Sequence, residues 1–306
     1  MPKTILITGG TGLLGTEITK QLLDKGHTVR YLSRNPGKTD QIEAFKWDIK
    51  NNEIDEAAFQ GVDTLVHLAG AGIADKKWTK ERKKVILESR TKSTALLSQK
   101  LKSIDHKVTS FIGASAIGYY GYDTGGVLKT EDSRFGDDFL ATVTKEWEAS
   151  VESLSKDNPG LRVAKLRIGI VLSEKGGALA ELAKPIKYWV GAPLGDGQQY
   201  MSWIHIEDLA GMFIHAIEND SMSGVYNAVA PNPATNKEVT KASAKAMGKP
   251  LVLPNVPGFV LKIMLGEMAS MVLGGSKVSS EKIQSAGYQY KFEQLQPAIN
   301  DLLKRS

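Results

Sequence analysis

Cysteine is absent from this 306-residue chain. That excludes disulfides, thiolate catalysis and cysteine-ligated zinc, and leaves the redox compartment open. Histidine is sparse. His27, His67, His106, His205 and His215 show no HxxxH or HExxH spacing, so no metal site is expected. Long apolar runs are missing too. The longest, VPGFVLKIMLGEMASMVL (256–273), is interrupted by Lys262 and Glu267 and is too broken to span a membrane. Its Val260, Met264, Met268 and Met271 fall at helical spacing, which predicts an amphipathic helix on the core; a substrate wall or a dimer contact is the alternative. No charge of one sign dominates, because 39 basic residues minus 34 acidic ones leave +5. That balance slightly favours anionic ligands and does not point to nucleic acid. A basic run (Lys76, Lys77, Lys80, Arg82, Lys83, Lys84) is interspersed with Glu81 and Glu88 and has only Trp78 beside it, the pattern of a solvated helix face. No basic region, apolar stretch and cleavage site precede the first apolar strand, so a cytoplasmic location is expected.

What is present is a soluble globular composition, 42% hydrophobic and 24% charged, with one dominant motif. In TILITGGTGLLG (4–15) an apolar strand runs into Gly9, Gly12 and Gly15 and then into a helical pattern. Such a unit holds a dinucleotide pyrophosphate. Gly9 allows the tight turn, Gly12 puts no side chain between backbone and phosphate, and Gly15 lets the helix pack close to its strand. Leu13 and Leu14 open that helix, whose start offers free N–H groups and a partial positive charge. The spacing is GxxGxxG rather than GxGxxG, and the strand–turn–helix–strand context is what gives it meaning.

Strand patterns at 3–8, 28–33, 63–68, 108–114 and 161–168, with a weaker one around Phe45 and Trp47, alternate with helical patterns at 13–25, 79–103 and 137–156. Alternation of this kind predicts an α/β fold: a Rossmann-type doubly wound parallel sheet covered on both faces. After residue 172 the pattern changes. WIHIEDLAGMFIHAIE (203–218) reads as a short strand and a helix returning to the first unit. From Pro231 onward come turns, three or four helical segments and little strand. The expected division is a nucleotide-binding domain of 1–172 and 203–229, with a smaller, mostly helical lobe of 173–202 and 230–306 over the ligand.

In these folds the ligand lies beyond the carboxyl ends of the strands. The second strand ends TVRYLSRNP. An acid there accepts from the ribose hydroxyls of NAD; here the residues are Ser33 and Arg34, and no acid comes until Asp40. Arg pairs bidentately with a 2′-phosphate that an acid would repel, so NADP(H) is the expected cofactor.

GGTGLLG, VHLAGAGIADKKWT, ESRTKSTALL, IGASAIGYYG, GDDFLATVTKEWE, LRIGIVLSEKGGAL, WIHIEDL and LGEMASMVL follow in that order. From residue 3 to about 305 the chain resembles the atypical, extended-type short-chain dehydrogenase/reductase subgroup of YfcH-like proteins, an epimerase family with its own C-terminal lobe. The resemblance implies NADP(H) binding and an unassigned small-molecule substrate. It also implies site residues. Ser115 matches the serine that holds the substrate oxygen, and Tyr119 the tyrosine of a following loop. Lys145 matches the lysine that holds the nicotinamide ribose and lowers the pKa of a tyrosine four residues earlier. That tyrosine position is Ala141, so the usual proton donor is missing. Tyr119 and Tyr120 are the candidate substitutes. By the same resemblance Asp48 meets adenine, and Leu68, Ala69 and Gly70 form the wall beside the adenosine ribose. Arg167 and Gly169 fall beside the nicotinamide, Gly169 permitting close backbone approach. Arg90 stands where relatives often have a functional Asn, and either bridges loops or faces an anionic substrate. His205 and Asp208 read as structural. The expected function is an NADP(H)-dependent oxidoreductase or epimerase-like enzyme. The alternatives are a non-catalytic NADPH-binding sensor and a nucleotide-sugar epimerase, against which Ala141 and Arg34 both count. A small-molecule substrate is the expected partner, with no nucleic acid, no membrane, and a homodimer as the open assembly.

Overall fold

The computed structural model describes residues 1–39 and 41–304; Asp40 lies outside them. Seven parallel strands form the core: β1 (Thr4–Thr8), β2 (Thr28–Ser33), β3 (Glu43–Asp48), β4 (Thr64–His67), β5 (Ser110–Ala116), β6 (Arg162–Ile168) and β7 (Gly224–Ala228). Their spatial order is β7-β6-β5-β4-β1-β2-β3, with Gly37–Lys38 and Glu53–Ile54 pairing antiparallel to β3 at one edge. Ile5, Leu6 and Ile7 are fully buried, as are Leu65, Val66, Phe111 and Ile112. A strand covered by helices on both faces has no polar side to show, which is why these segments read as continuous apolar runs. The order reverses between β1 and β4, and a crevice opens where neighbouring connections leave in opposite directions.

Helices α1 (Leu13–Asp24), α2 (Lys80–Ser103), α3 (Phe139–Asp157), α4 (Gly177–Lys187) and α5 (Ile206–Glu218) follow. Side chains fix where several of them start. The Thr79 hydroxyl accepts from the Arg82 N–H, the Asp138 carboxylate from Ala141, and the His205 ring from Glu207. As the sequence implies, Trp203–His205 leads α5 back onto α1; its strand pairs with Ile170–Leu172.

The last third holds α6 (Asn236–Ala246), α7 (Gly258–Leu265), α8 (Ala269–Leu273), α9 (Glu281–Ser285) and α10 (Leu295–Leu303) among the described residues. This is more helices than the pattern suggested. The single amphipathic helix expected over 256–273 is instead broken at Gly266 (φ +60°) into α7, a 3-10 turn and α8. Its core-facing stripe is not formed. In α7 only Leu261 is buried, and Phe259, Ile263 and Met264 are exposed.

Candidate functional site

The carboxyl ends of β1 to β4 open into a cleft of about 1120 Å³. Six of the residues singled out in the sequence meet there: Gly9, Ser33, Arg34, Asp48, Ala69 and Gly70. Gly9 has φ +73°, a conformation that favours glycine, and its carbonyl accepts from the Gly12 N–H at 3.0 Å. Helix α1 starts at Gly12 with no side-chain cap and no acid in its first turn. Its leading N–H groups therefore carry an uncompensated positive end. At Gly15 a Cβ would lie 2.6 Å from the Gly10 Cα, so the helix packs directly against the turn that follows β1. At Gly12 a Cβ would meet only the Gly9 carbonyl.

Across the cleft Arg34 is exposed and makes no ion pair among the described residues. The Ser33 hydroxyl accepts from the Asn35 N–H at 3.2 Å, turning the chain after β2. Asp48 accepts from the Lys50 and Asn51 N–H groups, which hold its carboxyl below the usual range. Gly10 was not singled out, yet a Cβ there would run into the Tyr31 ring, whose hydroxyl is 2.7 Å from Thr19. Nothing in a single sequence marks that contact.

The floor of the cleft is held by a buried relay that sequence reasoning also missed. The Thr8 hydroxyl accepts from the Leu68 and Ala69 N–H groups, both at 3.2 Å, and lies 2.7 Å from His67 Nδ1. A hydroxyl has two lone pairs and one proton. Both lone pairs are engaged, so its proton goes to Nδ1, and His67 carries its own proton on Nε2. That N–H donates to the Ser93 hydroxyl (3.0 Å), which donates to the Arg90 carbonyl (2.9 Å). Burial, with Arg90 adding repulsion, pushes the His67 pKa down to about 3.

A second cluster lies at the ends of β5 and β6. The Ser115 hydroxyl is buried and donates to Glu148 Oε1 at 2.6 Å. Glu148 receives Arg167 bidentately, Nε to Oε1 at 2.7 Å and Nη2 to Oε2 at 2.9 Å. Arg167 Nη1 also donates to the Tyr120 hydroxyl (2.9 Å), and that hydroxyl donates to Asn227 Oδ1 (2.7 Å). Burial pushes the Tyr120 pKa up to about 12. Burial pulls on the Arg167 guanidinium, but the Glu148 bonds hold it above its usual range. Tyr119 is half-buried, with the Arg167 guanidinium carbon 3.5 Å from its ring centroid. Lys145 stands on the exposed side of α3 with its ammonium 4.2 Å over the Phe135 ring, and Ala141 is fully buried. Glu148 carried a signal that was legible: it falls on the same helical stripe as the buried Ala141, Thr144 and Val151.

Other candidates take positions inside the protein. Gly169 permits close approach, but of Ser202 and Val229: a Cβ there would lie 2.7 Å from Val229 Cγ1 and overlap the Ser202 carbonyl. Arg90 is buried, donates to the Ala71 and Ile86 carbonyls at 3.1 and 2.9 Å, and lies 5.0 Å over the Trp147 ring. Burial pulls its pKa down to about 10, so it stays charged at neutral pH. Leu13, Leu14 and Leu68 are half-buried against the main core. His205 is buried and stacked on Phe292 at 3.9 Å, while Asp208 accepts from the Lys291 and Phe292 N–H groups. In the basic run Lys83 pairs with Glu267 at 2.5 Å and Arg82 binds the Gly72 carbonyl. Among the described residues no group of three or more His, Cys, Asp or Glu could hold a metal, and no helix is long and apolar enough to cross a membrane.

A parallel sheet with this switch point, glycine turn and cleft defines a doubly wound Rossmann-type protein. Residues 5–228 match the NAD dependent epimerase/dehydratase family, and the chain belongs to it. Residues 256–302 match a domain of unknown function, DUF1731. The chain is 36% identical over 308 residues to the chloroplastic epimerase family protein SDR39U1 homolog of Arabidopsis thaliana, covering 98% of this chain and 87% of the relative. The crystal structure of human epimerase family protein SDR39U1 with NADPH superimposes with a TM-score of 0.89 at 32% identity, over 99% of this chain and 100% of that one. A nucleoside-diphosphate sugar epimerase from Corynebacterium glutamicum gives 0.79 at 33%, over 99% of this chain and 58% of that one.

Proposed function

We propose that the protein is an NADP(H)-dependent oxidoreductase or epimerase-like enzyme acting on a small polar molecule. One observation carries the cofactor: a solvent-facing Arg34, with no carboxylate partner among the described residues, follows β2 and shares a cleft with the Gly9–Thr11 turn that leads into the uncapped helix α1. The glycine turn and α1 suit a pyrophosphate, and Arg34 suits a 2′-phosphate. The NADPH in the human relative supports the same choice. When bound, that cofactor supplies hydride chemistry at its nicotinamide.

Tyr119 is our candidate proton donor. The Tyr120 hydroxyl is committed on both sides, to Asn227 and Arg167, and its proton is held tightly. Tyr119 keeps partial exposure, and its ring lies against the Arg167 guanidinium at the mouth of the same cluster, so its hydroxyl is the one left open to a ligand. Ser115 and Lys145 are the other sequence candidates; the Ser115–Glu148 bond and the exposure of Lys145 favour positioning roles for both. The same commitments, with methyl-bearing Ala141 fully buried, support a second reading, an NADPH-binding protein without turnover.

Calorimetry with NADPH and NADH tests the first point. Wild-type protein is expected to prefer NADPH, and Arg34→Glu to weaken NADPH by at least about tenfold, roughly 1.4 kcal/mol, while leaving NADH nearly unchanged. Equal losses for both coenzymes would refute the Arg34 assignment. NADPH oxidation over a carbonyl panel tests the second. Turnover that Tyr119→Phe abolishes supports catalysis, and tight binding with no turnover supports the sensor.

A further inference from the structure

Eight of the thirteen exposed large apolar side chains among the described residues crowd into two short segments: Tyr188, Trp189 and Val190, and Val252, Leu253, Phe259, Ile263 and Met264. The segments adjoin. Leu194 bridges Val256 in parallel, and the Pro193 carbonyl accepts from the Val256 N–H at 2.8 Å. The Lys249 ammonium stands 4.2 Å over the Trp189 ring. Phe259 and Ile263, 66% and 78% exposed, lie one turn apart on α7 and so share a side. Trp189 has φ +66°, a conformation costly for a bulky residue, and its ring is half in solvent. Packing does not account for holding a tryptophan there.

The charge on this face is mostly basic. Residues 182–195 carry Lys184 and Lys187, and residues 239–266 carry Lys241, Lys245, Lys249 and Lys262, with no Asp or Glu inside either stretch; exposed Glu181, Asp196, Glu238 and Glu267 stand at their ends. Only Lys184 among these six has a carboxylate within ion-pair distance among the described residues, Glu181 on its own helix. A two-fold pairing of this face with itself would bring lysines against lysines. An anionic surface does the opposite: it neutralises them and takes up the aromatic and aliphatic side chains between them.

We infer that this face of the C-terminal region docks peripherally on anionic lipid, with Trp189, Phe259 and Ile263 entering the headgroup boundary and the lysines lying over it. No span is needed. Such binding would hold the cleft of an NADPH-binding protein beside a bilayer, but it does not depend on the cofactor reading.

Vesicle co-sedimentation of the full chain tests it. With vesicles of phosphatidylcholine containing about 30% phosphatidylserine, the partition coefficient is expected to exceed that for pure phosphatidylcholine by at least about tenfold, and to fall steeply at about 0.5 M salt. Phe259→Ser with Ile263→Ser, and separately Lys187→Glu with Lys249→Glu, are expected to lower binding to the phosphatidylserine vesicles by about tenfold or more. All these side chains are at the surface, so circular dichroism and NADPH affinity serve as folding controls. Equal binding to both vesicle types overturns the inference. So does a dimer in sedimentation equilibrium that Ile263→Ser disrupts, which would make a second copy the occupant.

Discussion

His67 offers the sharpest quantitative test of the architecture under the cleft. It is fully buried, and the Thr8 and Ser93 bonds are satisfied only by the neutral ring. Protonating Nδ1 would set an N–H against the Thr8 hydroxyl proton. The folded pKa, about 3, lies below the ordinary value of 6.5. The unfolded chain therefore takes the proton first as pH falls. Stability is complete above about 6.5 and is lost between there and about 3, with a slope approaching 1.36 kcal/mol per pH unit from this residue alone. Between pH 6.5 and 4.5 that amounts to roughly 2–3 kcal/mol. Urea unfolding at several pH values, compared with His67→Gln, isolates the term, since Gln keeps a donor for Ser93 and does not titrate. The two curves should converge as pH falls. Parallel curves would show that His67 takes up its proton without cost, and the relay described here would be wrong. An NMR titration of the wild-type ring is an independent check: it should stay neutral at pH 5.

Two further substitutions probe the site. Gly15→Ala forces a methyl against the Gly10 backbone and should cost about 1–3 kcal/mol in urea unfolding, with weaker NADPH retention in equilibrium dialysis. Glu148→Gln strands Arg167, 3% exposed, beside a neutral group and should cost about 3–5 kcal/mol, whereas Ser115→Ala should cost about 1 kcal/mol because the ion pair survives it. Similar losses for the two would mean that the charge pairing contributes little.

The sheet was legible because its strands are buried on both faces and therefore apolar throughout; each of the six patterns in the first half lies within a few residues of an observed strand. The glycine turn was legible because backbone conformation leaves a residue-type trace. The relay of Thr8, His67 and Ser93 was not, since its members are 59 and 26 residues apart and meet only across the fold. The 256–273 stretch misled for a related reason. Its periodicity is helical, but Gly266 divides it, and periodicity alone cannot say whether an apolar stripe finds a partner. Ser115 followed the same rule at the site: its position was readable, and its engagement by a carboxylate 33 residues away was not.

The order of strands has a consequence for synthesis on the ribosome. β7 pairs with β6 alone and is contributed by residues 224–228, long after β6 has emerged. Until then the nascent chain presents β6 as an uncovered edge, with a row of hydrogen-bonding groups open to any passing strand. A shortened transcript ending near residue 202 would keep that edge permanently, and its product should be recognised by chaperones rather than accumulate.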